Sequence, residues 1–267
     1  MNSREFEFTE KDFDRVRALI YQRAGISLNQ SKQEMVYSRL AKRLRANRLT
    51  SFSDYIALLE AGSSAEWEAF INSLTTNLTF FFREEHHFPA LAEHVRSKKS
   101  HISLWCAACS TGEEAYSMAM TMADLFDTLR PPVTILASDV DTGVLEKAKD
   151  GLYNASQLEK VPTDKLKKYF VELPGGMAKI KPEIREMVSF EKINLLDDRW
   201  PAKGPYDAIF CRNVMIYFDK DTQAKILRKF SPLLKKDGLL FAGHSESFHH
   251  VPDIFRLRGK TVYELAK

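Results

Sequence analysis

The 267-residue chain is poor in cysteine and glycine and carries almost no charge excess, and each shortage removes a class of protein. Three cysteines, Cys106, Cys109 and Cys211, cannot pair completely, which excludes a disulfide scaffold and leads us to expect a reducing, cytoplasmic setting. The eleven glycines include no pair spaced G-x-G, so the GxGxxG dinucleotide loop is absent, and so is the GxxxxGK[ST] phosphate loop. No apolar run reaches the ~18–20 residues that cross a bilayer, and the segment from Met1 to Glu7 lacks the apolar stretch of a secretory signal; no membrane insertion is expected. With 39 basic and 36 acidic residues the net charge is +3, so an electrostatic partner has to be met by a local patch.

What is present is an ordinary globular composition, 44% apolar, long enough for one large domain or two unequal ones. Residues 1–75 carry helical signals. Thr9 to Asp12 resembles a helix start, Phe13, Val16 and Ile20 follow at helical spacing, and Gly25 is a plausible stop. Ser31 with Glu34 offers a second start ahead of Val36, Leu40 and Leu44. Phe52, Tyr55 and Leu59 form a third stripe, and Trp67, Phe70, Ile71 and Leu74 a fourth.

Beyond residue 100, short apolar runs alternate with helical patterns. Strands are expected at 102–107, 133–137, 208–211, 239–242 and 261–265, with helices at 113–126, 142–149 and 221–234. Strands alternating with helices predict an α/β domain with a mostly parallel, doubly wound sheet, whose ligands bind beyond the carboxyl ends of its strands. Residues 151–193, with Pro174, Gly175, Gly176 and Pro182, interrupt the alternation and predict a small antiparallel excursion.

The first of these strands runs into Cys106-Ala-Ala-Cys-Ser110-Thr111-Gly112-Glu113-Glu114. Small residues let a ligand approach the backbone, and Ser110 or Thr111 is expected to cap the helix. Acids at a helix start repel phosphate and suit a cation, while Asp139, at the end of the second strand, suits a ribose diol. Together they favour a cationic nucleoside without phosphates, such as S-adenosylmethionine. Asn77 to Glu84, NLTFFFRE, precedes the sheet. Arg212, Asn213 and Tyr217 stand at the mouth of a further strand. Cys106-x-x-Cys109 has no second CxxC and reads as structural thiols. His86-His87 and His249-His250 read as capping or surface residues, and no metal site is expected.

In order along the chain stand NLTFFFR (77–83), AACSTGEE (107–114), ASDVD (137–141), NLL (194–196), CRNVMIYF (211–218) and GLLFAGHSE (238–246). This series resembles the CheR family of chemotaxis receptor glutamate O-methyltransferases over nearly the whole chain. The resemblance implies a helical N-terminal domain (1–75) and a Rossmann-like, S-adenosylmethionine-dependent methyltransferase domain (76–267). It places a β-subdomain insert at about 155–192. It further implies that Asn77, Thr79, Arg83, Glu114, Asp139, Asn194, Leu195, Arg212 and Asn213 surround the cofactor, with Arg83 and Tyr217 closest to the transferred methyl. The product would be S-adenosylhomocysteine. The expected substrate is a glutamate in the cytoplasmic region of a membrane chemoreceptor.

Between Arg23 and Arg48 stand seven basic residues and one acid, a net of +6. Arg39, Lys42, Arg43, Arg45 and Arg48 are candidates for docking on an acidic receptor surface, as the resemblance also implies. Some family members bind a receptor C-terminal peptide on the β-subdomain, and for this chain the point stays open. A monomer is the default. Two other classes remain in view: a nucleic-acid methyltransferase, because Asn213 and Tyr217 faintly echo an Asn-x-x-Tyr site but without its prolines, and a non-catalytic adaptor.

Overall fold

The computed structural model describes residues 4–98 and 100–266; Met1, Asn2 and Ser3 of the expected non-secretory start lie outside the described residues. Contacts divide the chain into two units. One runs to Thr76 and includes Tyr217–Asp219; the other holds Asn77–Ile216 and the chain from Lys220 onward.

The first unit is helical. Helix α1 (Glu10–Ala24) starts at a capping box. The Thr9 hydroxyl accepts from the Asp12 N–H at 3.1 Å, and the Asp12 carboxylate accepts from the Thr9 N–H at 3.0 Å. It ends on Gly25 at φ +69. Helix α2 (Gln33–Ala46) follows a short 3-10 turn, Gln30–Lys32, rather than starting on Ser31, whose hydroxyl bonds the Asn29 side chain instead. Helices α3 (Phe52–Glu60) and α4 (Ser64–Leu74) are capped by Ser51 and Ser63. The apolar stripes converge in one core, in which Phe13, Val36, Leu40, Leu44, Tyr55, Leu59 and Phe70 are fully buried. Within this unit the Ser27 N–H donates to the Tyr217 carbonyl at 3.0 Å, and the Tyr21 hydroxyl donates to the Asp219 carboxylate.

The second unit opens with α5 (His87–Val95), where Phe88, Leu91 and Val95 bury one face. There follow β1 (Ile102–Cys106), α6 (Glu113–Leu125), β2 (Val133–Asp139), α7 (Thr142–Asp150) and β3 (Leu152–Asn154). Next come α8 (Ala155–Leu158), α9 (Thr163–Tyr169), β4 (Phe170–Leu173), β5 (Met177–Ile180), α10 (Pro182–Arg185) and β6 (Val188–Lys192). The chain closes with β7 (Tyr206–Cys211), α11 (Lys220–Phe230), β8 (Leu234–Ala242), β9 (Phe255–Gly259) and β10 (Val262–Leu265).

The large sheet has the order β6-β2-β1-β7-β8-β10-β9. From β6 to β8 neighbouring strands are parallel, while β10 and β9 form an antiparallel edge. Chain order reverses between β1 and β7, the switch point at which such sheets bind ligands. Helix α11 stops at Phe230, short of the expected residue 234. Pro232 sits in a 3-10 turn, and Leu234 already belongs to β8.

The insert needs correction. The small sheet, β3-β5-β4, is antiparallel, but it begins at Leu152 and its strands end at Ile180. Strand β6 lies within the expected span of 155–192, yet it returns to the large sheet beside β2. Pro182 sits in the first turn of α10.

Candidate active site

The turn after β1 packs closely against α7. Ser110 and Gly112 adopt φ +48 and +95, and a Cβ on Gly112 would lie 2.9 Å from that of Ala148. Neither Ser110 nor Thr111 caps α6, contrary to expectation, because the helix start has no side-chain cap. Their groups are used elsewhere. The Ser110 hydroxyl donates to the Asn77 carbonyl at 3.2 Å, and the Thr111 hydroxyl to the Glu113 carboxylate at 2.6 Å.

Three buried acids flank this turn. Asp139, at the end of β2, accepts the N–H groups of Ser110 at 2.8 Å and Asp141 at 3.0 Å; burial outweighs these donors and lifts its carboxyl to about 6. Burial also raises Glu114, although the Arg212 charge opposes it, and raises Glu113. Cys106, at the end of β1, donates its thiol to Glu114 at 3.2 Å; burial pushes this thiol and that of Cys109 up, consistent with structural roles. The Ile193 N–H donates to the Asp139 carbonyl at 3.1 Å, which sets Asn194 and Leu195 beside the end of β2. Asn194 turns its side chain onto the Leu196 N–H at 3.0 Å, and the Leu195 carbonyl accepts from Lys229 at 3.0 Å.

The strap 77–84 carries the other group. Phe81 is buried edge-on to Tyr153 and Phe170, and Phe82 is edge-on to Phe88; the phenylalanines moor the strap to the core. Asn77 donates to Asp141 at 2.8 Å, and Thr79 is half-buried on the same strap. Arg83 donates to the Leu78 carbonyl at 2.8 Å, its guanidinium 5.9 Å from the centre of the Phe80 ring.

Arg212 directly follows the end of β7, as expected. Its side chain is fully buried, pairing with Glu114 at 2.8 Å and Glu84 at 3.3 Å. Its Nε has no hydrogen-bond partner. Asn213, at φ +57, is held through its N–H by Glu246 at 3.0 Å and through its amide by Glu84 at 3.2 Å. Glu246 also receives the N–H groups of Met215 and Gly243. Glu84 and Glu246 escaped the sequence reading, although both lie inside the quoted motifs. His87 is a further departure. It is fully buried rather than superficial, bonds the Lys260 carbonyl at 2.9 Å, and burial lowers its pKa to about 4. The His244 ring is exposed and meets Glu84 at 2.9 Å. Tyr217 belongs to the helical unit and is not part of this network.

The five basic candidates, four on α2 and Arg48 just beyond it, separate. Arg43 forks onto Glu66 at 2.9 and 2.7 Å, where Tyr55 also donates, so it is spent on packing α2 against α4. Arg39 donates to the Ser73 and Thr75 carbonyls at the end of α4. Arg45 pairs with Glu5 at the surface. Lys42 and Arg48 are exposed.

Comparison with known proteins meets this geometry. Residues 77–264 match the family described as CheR methyltransferase, SAM binding domain, and residues 11–75 match its all-alpha domain. The chain belongs to the CheR methyltransferase family. The chemotaxis protein methyltransferase of Escherichia coli K12 is 53% identical over 263 residues, covering 97% of this chain and 92% of its own. Chemotaxis protein methyltransferase 2 of Pseudomonas aeruginosa is 47% identical over 270 residues, covering 99% and 96%. S-adenosylmethionine is the cofactor of this CheR chain. The site suits it: buried carboxylates at the ends of β1 and β2 match a cation and a diol, and the turn after β1 provides no phosphate cradle. Among the described residues no helix is long and apolar enough to cross a membrane.

Proposed function

We propose that the chain transfers the methyl group of S-adenosylmethionine to glutamate side chains of membrane chemoreceptors, forming methyl esters, and that it acts as a cytoplasmic monomer. The observation that carries this is the acid-lined switch point with an arginine strap beside it. Asp139 would take the ribose hydroxyls and Glu114 the cationic methionine end. Asn77 and Thr79 would line the strap side, Asn194 and Leu195 the adenine, and Arg212 with Asn213 the floor.

The cofactor supplies a methyl group activated on a sulfonium. A glutamate acceptor, with an ordinary pKa of about 4.3, is already ionised at neutral pH, so the protein needs no general base. As the new oxygen–carbon bond replaces the carbon–sulfur bond and neutral S-adenosylhomocysteine is left, two opposite charges cancel, which a dry cleft favours. What remains for the protein is alignment, worth several kcal/mol. Arg83 would hold the carboxylate through its fork and Tyr217 would offer a hydroxyl. Lys42 and Arg48 would meet an acidic receptor surface, Arg39, Arg43 and Arg45 having partners within the unit.

The test supplies labelled S-adenosylmethionine with receptor membranes or with RNA. Base-labile label on membrane protein is expected, falling on the order of a hundredfold in Arg83→Ala. Base-stable label on RNA would replace this reading with nucleic-acid methylation, and cofactor binding without transfer to either would favour an adaptor.

A further inference from the structure

The backbone reverses on both sides of Arg83. Phe82 has φ +56 and Glu84 φ +53, left-handed values that residues other than glycine hold only where the surroundings impose them. For Phe82 the surroundings are Ser117, whose hydroxyl accepts its N–H at 3.0 Å, and the ring of Phe88. For Glu84 they are the ends of two strands. Its Oε1 accepts from the Asn213 amide at 3.2 Å, the His244 N–H at 3.2 Å and the His244 ring at 2.9 Å. Its Oε2 lies 3.3 Å from Nη2 of Arg212, and the same Nη2 donates to the Arg83 carbonyl at 2.5 Å. One carboxylate thus fastens the strap to residues just beyond β7 and β8. The Arg83 guanidinium is held from within the strap, by the Leu78 carbonyl at 2.8 Å, so its position is inherited from the strap.

We propose that Glu84 is a positioning residue for methyl transfer, clasping the strap to the ends of β7 and β8 so that Arg83 is presented to the acceptor. The inference rests on the reading of Arg83 as the group that aligns that acceptor. A carboxylate suits the task because three donor groups converge on its Oε1 while its Oε2, which has no hydrogen-bond partner, faces a buried cation at 3.3 Å. A glutamine would turn an N–H2 toward one of them. If Glu84 merely balanced the charge of Arg212, its loss would act on stability and would not depend on Arg83.

The experiment compares Glu84→Gln and His244→Ala, each in the native chain and in Arg83→Ala, by single-turnover transfer to receptor membranes at saturating cofactor. Glu84→Gln is expected to slow transfer on the order of 10–100-fold and His244→Ala by less, with neither slowing the Arg83→Ala enzyme further. Losses that multiply in that background, or a native rate in Glu84→Gln, would overturn the proposal. Because His244 is exposed, its variant keeps the test open if Glu84→Gln fails to fold. Backbone hydrogen exchange over 80–86 gives a readout that needs no acceptor. It should quicken on the order of tenfold in Glu84→Gln, with the helical unit unchanged, and an unchanged strap would overturn the clasp. If the native chain transfers nothing to receptors, the functional reading fails, while the exchange measurement still decides the clasp.

Discussion

Asp139 shows what one residue contributes. Two N–H donors favour its charged form, yet burial dominates and its carboxyl titrates near 6 in the cofactor-free protein. Two hydroxyl donors bind the ionised carboxylate more strongly than the neutral acid, so binding a ribose diol would favour the charged form and release a proton. Calorimetric affinity for S-adenosylhomocysteine should therefore rise with pH through about 6 and level off above it; in Asp139→Asn the rise should vanish. Affinity independent of pH between about 5 and 7 would separate Asp139 from the ribose. At this scale the sequence marked Asp139 and Glu114 as acids beside strand-like runs, and both are buried there. Glu84 and Glu246 were not legible in it, because their role arises from left-handed backbone at Glu84 and Asn213 that no local pattern announces. The burial of Arg212 was hidden for a related reason: it depends on Glu84 and Glu114, both remote in sequence.

At the scale of elements, periodicity marked the amphipathic helices well and failed where tertiary pairing decides. Strand β6 reads like the insert before it, but β2 claims it for the large sheet. Strand β9 escaped notice although Phe255 to Arg258 alternates apolar and basic residues, because the run is short, and Leu257 is exposed rather than packed. Helix α5 did carry a signal, Phe88, Leu91 and Val95, in a stretch where none was sought. The basic run of α2 combined two roles that the sequence could not separate. Arg43 faces Glu66, whose side chain is 7% exposed, whereas Lys42 and Arg48 face solvent. Glu66→Gln should destabilise the protein by about 2 kcal/mol, less than a fully buried pair, because Arg43 keeps 27% of its exposure. Thermal melting should show a clear fall for Glu66→Gln and little change for Arg4→Gln, whose partner Glu34 lies at the surface. Equal effects would remove the ion pair from the helical core.

At the scale of the whole molecule, a net charge of +3 conceals a local basic run from Arg23 to Arg48, and we propose that its exposed members meet an acidic partner. Methylation of receptor membranes should slow as ionic strength rises, because exposed charges are screened beyond a Debye length of about 10 Å at 0.1 M salt. The charge-reversed pair Lys42→Glu and Arg48→Glu should raise KM, flatten that salt dependence and leave cofactor affinity unchanged. Salt-indifferent turnover in the native chain would place the receptor contact elsewhere. The central claim is alignment of an acceptor that is already charged, with no proton to remove. Its most direct test is the single-turnover rate of methyl transfer, at saturating cofactor, between about pH 6.5 and 8.5. A flat profile is expected, since a glutamate with a pKa of about 4.3 is ionised throughout. A rate that climbs about tenfold per pH unit would show that a proton must leave first and would contradict the mechanism.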